Sequence, residues 1–301
     1  MIQLSDLLTL QLELFLLLAA GFYFRKRVVG AAFEKGLTDV ILDLILPCNI
    51  VTSFQIEMSA GLLRSTFSVL AVSMANQLAC LALGAAVYRR RPREKWPVMK
   101  YGSLCSNAGF LGTPVAEGIW GPQGVMLASI YLIPQRIFMW SVGVGFFHRE
   151  EKNVALKLLT NPCILASAAG LALMAAQASL PPFLDKTVHA LGQCNTGMSM
   201  FLIGMVASRI RPRDFLDQDV LYLTAVRLGL IPLLVFLGCR LLAVDQLTAG
   251  VAVLLAAMPV AGTSAVLAAR YDAAPEFAAS AVAVSTALSM VAIPLWGLLL
   301  R

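Results

Sequence analysis

The chain has 301 residues, of which 59% are hydrophobic and only 13% charged, against roughly half apolar and a quarter charged in ordinary soluble domains. That leaves too little polar surface to cover a water-soluble globule of this size, so the excess apolar surface must face lipid. The net charge is +6, but the lysines and arginines cluster between apolar runs and form no continuous basic face, which argues against a nucleic-acid partner.

A helix needs about 20 apolar residues to cross a bilayer. Ten segments qualify: 4–24, 36–56, 62–88, 98–119, 123–147, 161–180, 183–208, 219–243, 246–269 and 276–299. The expected fold is an all-α polytopic membrane protein. The first segment has no basic residue before Arg25, so it reads as a retained helix and not as a signal peptide. In the second, Asp39 and Asp43 are four apart and share one face. Asp43 lies inside the apolar run, where burial would suit it to carry a coupled proton; pairing with Lys35 or another cytoplasmic-side base is the alternative. Glu13 in the first segment reads as a scaffold contact. Asn76 and Gln77 in the third either join helices by hydrogen bonds or line a site.

The fourth segment reads YGSLCSNAGFLGTPVAEGIW and holds Gly102, Asn107, Gly109, Gly112, Pro114 and Gly118. Proline cannot donate a backbone bond and glycine permits unusual backbone angles, so a break is expected here. The fifth places Arg136 beside Gln135. A membrane-embedded arginine usually faces a cavity; it serves either as the partner of a substrate carboxylate or as a structural partner of Glu117 or of a half-helix carbonyl end. Arg227 in the eighth lies nearer a cytoplasmic loop and is expected to snorkel towards it. The ninth reads AAMPVAGTSAVLAA, with Pro259, Gly262, Thr263 and Ser264 in its middle. If the fourth and ninth both break and cross, two half-helix N-termini meet near the midplane. Each carries roughly half a positive charge and unpaired N–H groups, which together make an anion site.

Seventeen of the 23 basic residues fall in odd-numbered loops and three in even-numbered ones. This places odd loops in the cytoplasm and both termini outside a cell membrane. Pro114-Val115-Ala116 recurs as Pro259-Val260-Ala261 and Cys48-Asn49 as Cys194-Asn195, at offsets of 145 and 146. A five-helix repeat must insert the second time upside down. Two inverted repeats are therefore expected at 1–147 and 161–301, joined by a cytoplasmic linker at 148–160, and such repeats with matching broken helices mark secondary transporters.

The six cysteines show no zinc or redox spacing and read as free thiols. His148 and His189 are far apart in sequence, which argues against a histidine metal site. No H-E-x-x-H, G-x-S-x-G or paired-aspartate motif supports an intramembrane enzyme. A channel or receptor remains the alternative to a carrier.

At SNAGFLGTPVAEGIWG (106–121), IYLIPQRIFMWSVG (130–143) and the run from Ala257 to Leu295, the chain resembles the auxin efflux carrier family, in particular bacterial members similar to malate and malonate permeases. LILPCNIVTSF (44–54) and Asn161-Pro162 also fit. The resemblance implies a scaffold of helices 1, 2, 6 and 7 and a transport domain of helices 3–5 and 8–10, with helices 4 and 9 crossing. It implies elevator-type carriage of small carboxylates. It places Asn107, Pro114, Gln135 and Pro259 at the substrate site. Plant carriers have a second proline where this chain has Ser264, so the break in helix 9 rests here on Gly262, Thr263 and Ser264. The full expected binding set is Asn107, Gly109, Gly112, Thr113, Pro114, Gln135, Arg136, Pro259, Gly262, Thr263 and Ser264, with Asp43 and Glu117 as coupling candidates. No cofactor is expected, and the driving force stays open between protons, sodium and uniport. The expected partners are a small carboxylate, the lipid bilayer and a second copy through the scaffold helices, with no nucleic acid.

Overall fold

The computed structural model describes residues 4–27, 31–55, 60–147, 160, 162–208 and 216–300. The expected linker at 148–160 lies outside these residues except for Thr160, as do Asn161 and the loop arginines Arg209, Arg211 and Arg213. The described chain is helical apart from turns, short extended stretches and one isolated bridge. Its helices are α1 (Leu4–Arg27), α2 (Ala31–Val40), α3 (Leu46–Ser53), α4 (Ala60–Val87), α5 (Trp96–Leu104), α6 (Thr113–Phe138), α7 (Pro162–Ala176), α8 (Pro182–Ala207), α9 (Gln218–Ala225), α10 (Ile231–Leu241), α11 (Gln246–Ala256), α12 (Thr263–Arg270) and α13 (Pro275–Leu299). Phe33–Ser53, Arg64–Val87, Gln218–Leu241 and Pro275–Leu299 are each long and apolar enough to cross a membrane. They fall on the second, third, eighth and tenth expected segments. The chain is a helical membrane protein.

Three prolines explain three irregular turns. Pro47, Pro114 and Pro232 each follow a π-helical turn, at Ile41–Ile45, Ala108–Gly112 and Val226–Leu230. A proline leaves the carbonyl four residues earlier without its helical donor, and the ladder widens just before the ring. The orphan before Pro232 is the carbonyl of Leu228, and the indole of Trp296 donates to it at 2.8 Å. The chain therefore runs through α2 and α3, and through α9 and α10, as continuous bent helices.

Pro114 does not make the break in the fourth segment. The helix stops nine residues earlier, at Cys105, whose backbone is extended (φ −113°, ψ 112°). Pro114 lies downstream of the break, in the first turn of α6 and just after the π turn. The fourth and fifth expected segments meet at Gly121, whose φ of 58° interrupts α6 and favours a residue without a Cβ.

The chain divides into two compact units. Unit 1 comprises residues 1–67, 109–130 and 159–208, and unit 2 comprises 68–108, 131–158 and 209–301. In unit 1, α1 packs along α8 at backbone distance. A Cβ on Gly21 would lie 1.9 Å from the carbonyl oxygen of Phe201, and one on Gly204 1.9 Å from that of Leu18. Small residues permit such approach where no water drives helices together. In unit 1 α3 packs against both α7 and α8, with Phe54 seated on Gly170 and Asn49 against Gly192. Ile41, Ile45 and Leu202 form a buried cluster there, with Leu37, Phe110 and Met198 around it. In unit 2, α13 packs on α9, α11 and α12, and α10 packs on α11. Asp217 and Asp245 cap α9 and α11 by accepting backbone N–H bonds. All six cysteines are free.

Candidate functional site

Unit 2 contains the meeting of the two breaks. α5 ends at Leu104 and α11 at Ala256, and the extended stretches that follow pair antiparallel, with Ser106 opposite Val260. The N–H of Asn107 donates to the carbonyl of Pro259 at 2.7 Å, and the N–H of Ala261 donates to that of Cys105 at 3.1 Å. The N–H of Val260 donates to the hydroxyl of Ser285 at 3.1 Å. Non-helical backbone at membrane depth must satisfy its polar groups within the protein, and these bonds do so. Pro259 brings no N–H that would need a partner. Gly102 lets the strands meet, since a Cβ there would press on the side chains of Val260 and Leu223 at 3.2 and 3.3 Å.

Two side chains lock the crossing. Gln135 is buried, accepts from the Ser106 hydroxyl at 2.9 Å and donates to the Ser106 carbonyl at 2.8 Å. The polar residue next to the site is thus a brace, with both ends of its amide engaged. Arg227 is 1% exposed. Its guanidinium donates to the carbonyls of Met258 (Nε, 2.9 Å), Ser103 (Nη1, 2.8 Å) and Ala256 (Nη2, 2.6 Å). This corrects the expectation that Arg227 snorkels to a loop. The last carbonyls of α5 and α11 converge, each helix end carries about half a negative charge, and the arginine is held where it offsets both. Arg227 and Ser106 were the residues sequence reasoning did not assign to the site. The signal for Arg227 was its charge within an apolar run; the signal for Ser106 was its place at the head of the motif at 106–121.

Other polar groups of unit 2 are left open. Asn107 is half-buried at the bend, and its side-chain amide meets no hydrogen-bond partner among the described residues. Gly262 is exposed and precedes α12, whose first turn has no side-chain cap. Thr263 shares a hydrogen bond of 2.9 Å with the Tyr101 hydroxyl. The hydroxyl of Ser264 is buried without a partner among the described residues, and so is Nη1 of Arg136, a residue only 8% exposed. Gln77 is fully buried with both amide atoms likewise unpaired, whereas Asn76 donates to the Tyr131 hydroxyl at 2.9 Å.

The remaining expected residues belong to unit 1. Gly109 and Gly112 lie on the π turn before α6, with Thr113 and Pro114 in its first turn. Glu117 follows one turn on, held by Asn49 and Thr196. Asp43 is exposed on its own π turn, so the burial that would suit it to carry a proton is absent.

The family model described as membrane transport protein matches residues 7–155 and 146–297. The chain belongs to this family. The match accords with the resemblance to auxin efflux carriers carried by the motifs at 106–121 and 257–295. The membrane transport protein is a transporter and not an enzyme. An uncharacterized transporter of Methanothermobacter thermautotrophicus is 25% identical over 91% of each chain. An uncharacterized transporter of Escherichia coli is 22% identical over 93% of each chain. A Rhizobium meliloti protein, named provisionally as a malonate transporter, is 23% identical over 96% of this chain and 94% of its own.

Proposed function

We propose that this membrane transport protein is a carrier of small organic anions, dicarboxylates foremost, across the cell membrane. In this reading it works by elevator-type alternating access, with the substrate held on unit 2. Both termini lie outside and odd-numbered loops face the cytoplasm. The observation that carries the anion is Arg136. It is more than nine-tenths buried and has an unpaired guanidinium nitrogen among the described residues. A charge at membrane depth costs about 2.5–3.5 kcal/mol on insertion scales, and more without a partner. A guanidinium takes a carboxylate by two parallel hydrogen bonds. The same unit offers the amide of Asn107 and the hydroxyl of Ser264, both without a partner among the described residues, and the N-terminus of α12, which has no side-chain cap. Arg227 supports the reading from the other side, because it offsets the negative ends of α5 and α11 that would repel an anion. The provisional naming of the Rhizobium meliloti relative for malonate agrees with a second carboxylate.

The test is uptake of radiolabelled malonate, malate and indole-acetate by the purified protein in liposomes. Saturable uptake that Asn107→Ala abolishes is expected. Arg136→Gln is expected to remove dicarboxylate uptake and keep any monocarboxylate uptake. Uptake of none of the three would defeat the substrate assignment, and uptake unchanged in Asn107→Ala would move the site elsewhere.

A further inference from the structure

Glu117 has an environment within unit 1 that no part of the anion site explains. Its Oε1 accepts from Nδ2 of Asn49 at 3.2 Å, and its Oε2 accepts from the hydroxyl of Thr196 at 3.0 Å. The same Asn49 nitrogen also donates to the carbonyl of Gly192 at 3.2 Å. Asn49 is only 6% exposed and lies within the membrane-length helix Phe33–Ser53. Thr196 is the fifteenth of the 26 residues of α8. The absence of a side chain at Gly192 is required for this approach, since a Cβ would stand 3.0 Å from the Cα of Asn49. Among the described residues no lysine, arginine or histidine forms an ion pair with Glu117. The carboxyl thus sits between partners on two helices with no counter-charge among the described residues, and in a membrane span such a group is by default functional.

The partners suit a proton. Asn49 donates to Oε1 whether the other oxygen is charged or protonated. The Thr196 hydroxyl is both donor and acceptor. It donates to the carboxylate, and it accepts from the carboxylic acid by turning its own hydrogen to the carbonyl four residues back, which is Gly192. The Thr196 hydroxyl can therefore face the carboxyl in both protonation states, sharing the Gly192 carbonyl with Nδ2 of Asn49 when the acid donates. A sodium ion would need oxygen lone pairs facing it, whereas Asn49 and Thr196 present N–H and O–H to the carboxylate.

The other ionisable groups on the helices of unit 1 stand apart. On α1 they are Asp6 near its start and Glu13, which is exposed, with Tyr23, Arg25, Lys26 and Arg27 at its far end; Arg25 pairs with Glu34 at 3.5 Å, and Arg64 near the start of α4 is exposed. On the bent helix before Asn49 they are Lys35, Asp39 and Asp43, all exposed and at least six residues away, about 9 Å along the axis. On α8 they are Asp185, Lys186 and His189, at least seven residues from Thr196, roughly 10 Å. The thiols Cys48, Cys163 and Cys194 complete the set, and α6 and α7 bring no other charge within unit 1.

We propose that Glu117 is the coupling site: it takes one proton on Oε2 from the outer solution, is neutral while carrying it, and releases it to the cytoplasm, so that anion entry is proton symport. The assignment rests on the carrier reading above. Protonation also weakens the two charge-assisted bonds that hold residues 109–130 to α3 and α8 within unit 1.

The test uses the full-length protein in liposomes with labelled malonate and two assays. In the first, an inward proton gradient is expected to accelerate net uptake several-fold in the wild type. Glu117→Gln is expected to lose that acceleration while malonate-for-malonate exchange, measured without a gradient, is retained. Glu117→Asp is expected to restore part of the acceleration, and Thr196→Val to displace the pH profile of uptake rather than scale it down evenly. Acceleration by a sodium gradient and not by a proton gradient would overturn the proposal. So would a proton-driven Glu117→Gln, or a Thr196→Val profile of unchanged shape. A wild type that exchanges none of malonate, malate and indole-acetate would overturn the carrier reading, and this proposal with it.

Discussion

Two regions of unit 2 handle buried charge in opposite ways. Around Arg227 each guanidinium nitrogen has a carbonyl at 2.6–2.9 Å, so the region is saturated. Around Arg136, Ser264 and Asn107 the polar groups are buried or half-buried and open. Both arginines interrupt an apolar run, and by residue type alone they look alike. Partners separate them. A buried charge with a full set of acceptors holds structure, and one with a guanidinium nitrogen unpaired among the described residues can take a partner from outside the chain. The same contrast divides the site amides, since Gln135 is used up on Ser106 while the Asn107 side chain meets no partner among the described residues.

The contrast can be broken by substitution. Arg227→Leu is expected to have the largest effect, because it leaves three carbonyls of the crossing without donors. Removing one side of a buried charged network costs about 3–5 kcal/mol, read as a large drop in melting temperature or as lost expression. Gln135→Leu removes two hydrogen bonds and takes the donor from the Ser106 carbonyl, while the Ser106 hydroxyl keeps the carbonyl of Leu255 at 3.3 Å, with an expected cost of about 1–3 kcal/mol. Arg136→Gln removes a guanidinium whose Nη1 is unpaired among the described residues and is expected to leave stability unchanged or raised, although dicarboxylate uptake is lost. A destabilised Arg136→Gln would mean that this arginine is structural as Arg227 is, and the contrast would fall.

The smallest effect is expected outside the membrane, where Lys95 bonds Asp217 at 3.3 Å and Asp219 at 2.8 Å, and Arg91 bonds Asp219 at 3.1 Å. Partial burial alone would raise the carboxyl of Asp217, but the backbone N–H groups of Asp219 and Val220 and the Lys95 ammonium together hold it below its ordinary 3.8. A depressed carboxyl stabilises the fold above its unfolded value and loses that contribution as the pH falls through the lowered value. The loss belongs below about pH 4, and solvent screening limits it to about 0–1 kcal/mol. Asp217→Asn is expected to flatten this acid limb in a melting series and to leave neutral stability within about 1 kcal/mol of the wild type.

The sequence by itself determined the membrane class, most helix positions, the two breaks and the family. Each follows from properties carried by neighbouring residues: runs of apolar side chains, the missing N–H of proline and a motif of contiguous letters. Pro259 lies in its break as expected, and Asn107 lies at the bend. Tertiary structure decided the rest. It moved the fourth-segment break from Pro114 to Cys105–Asn107, because the backbone opened where a partner strand could take its hydrogen bonds, while Pro114 was tolerated in a first helical turn. It made Gln135 a brace and drew Arg227 into the core, 124 residues along the chain from the Ser103 carbonyl that it holds. It left Asp43 exposed and set Glu117 between Asn49 and Thr196, 68 and 79 residues distant in sequence. Whether a buried polar side chain is structural or free to bind depends on the partners that folding brings within about 3 Å, and no local pattern of residues records them.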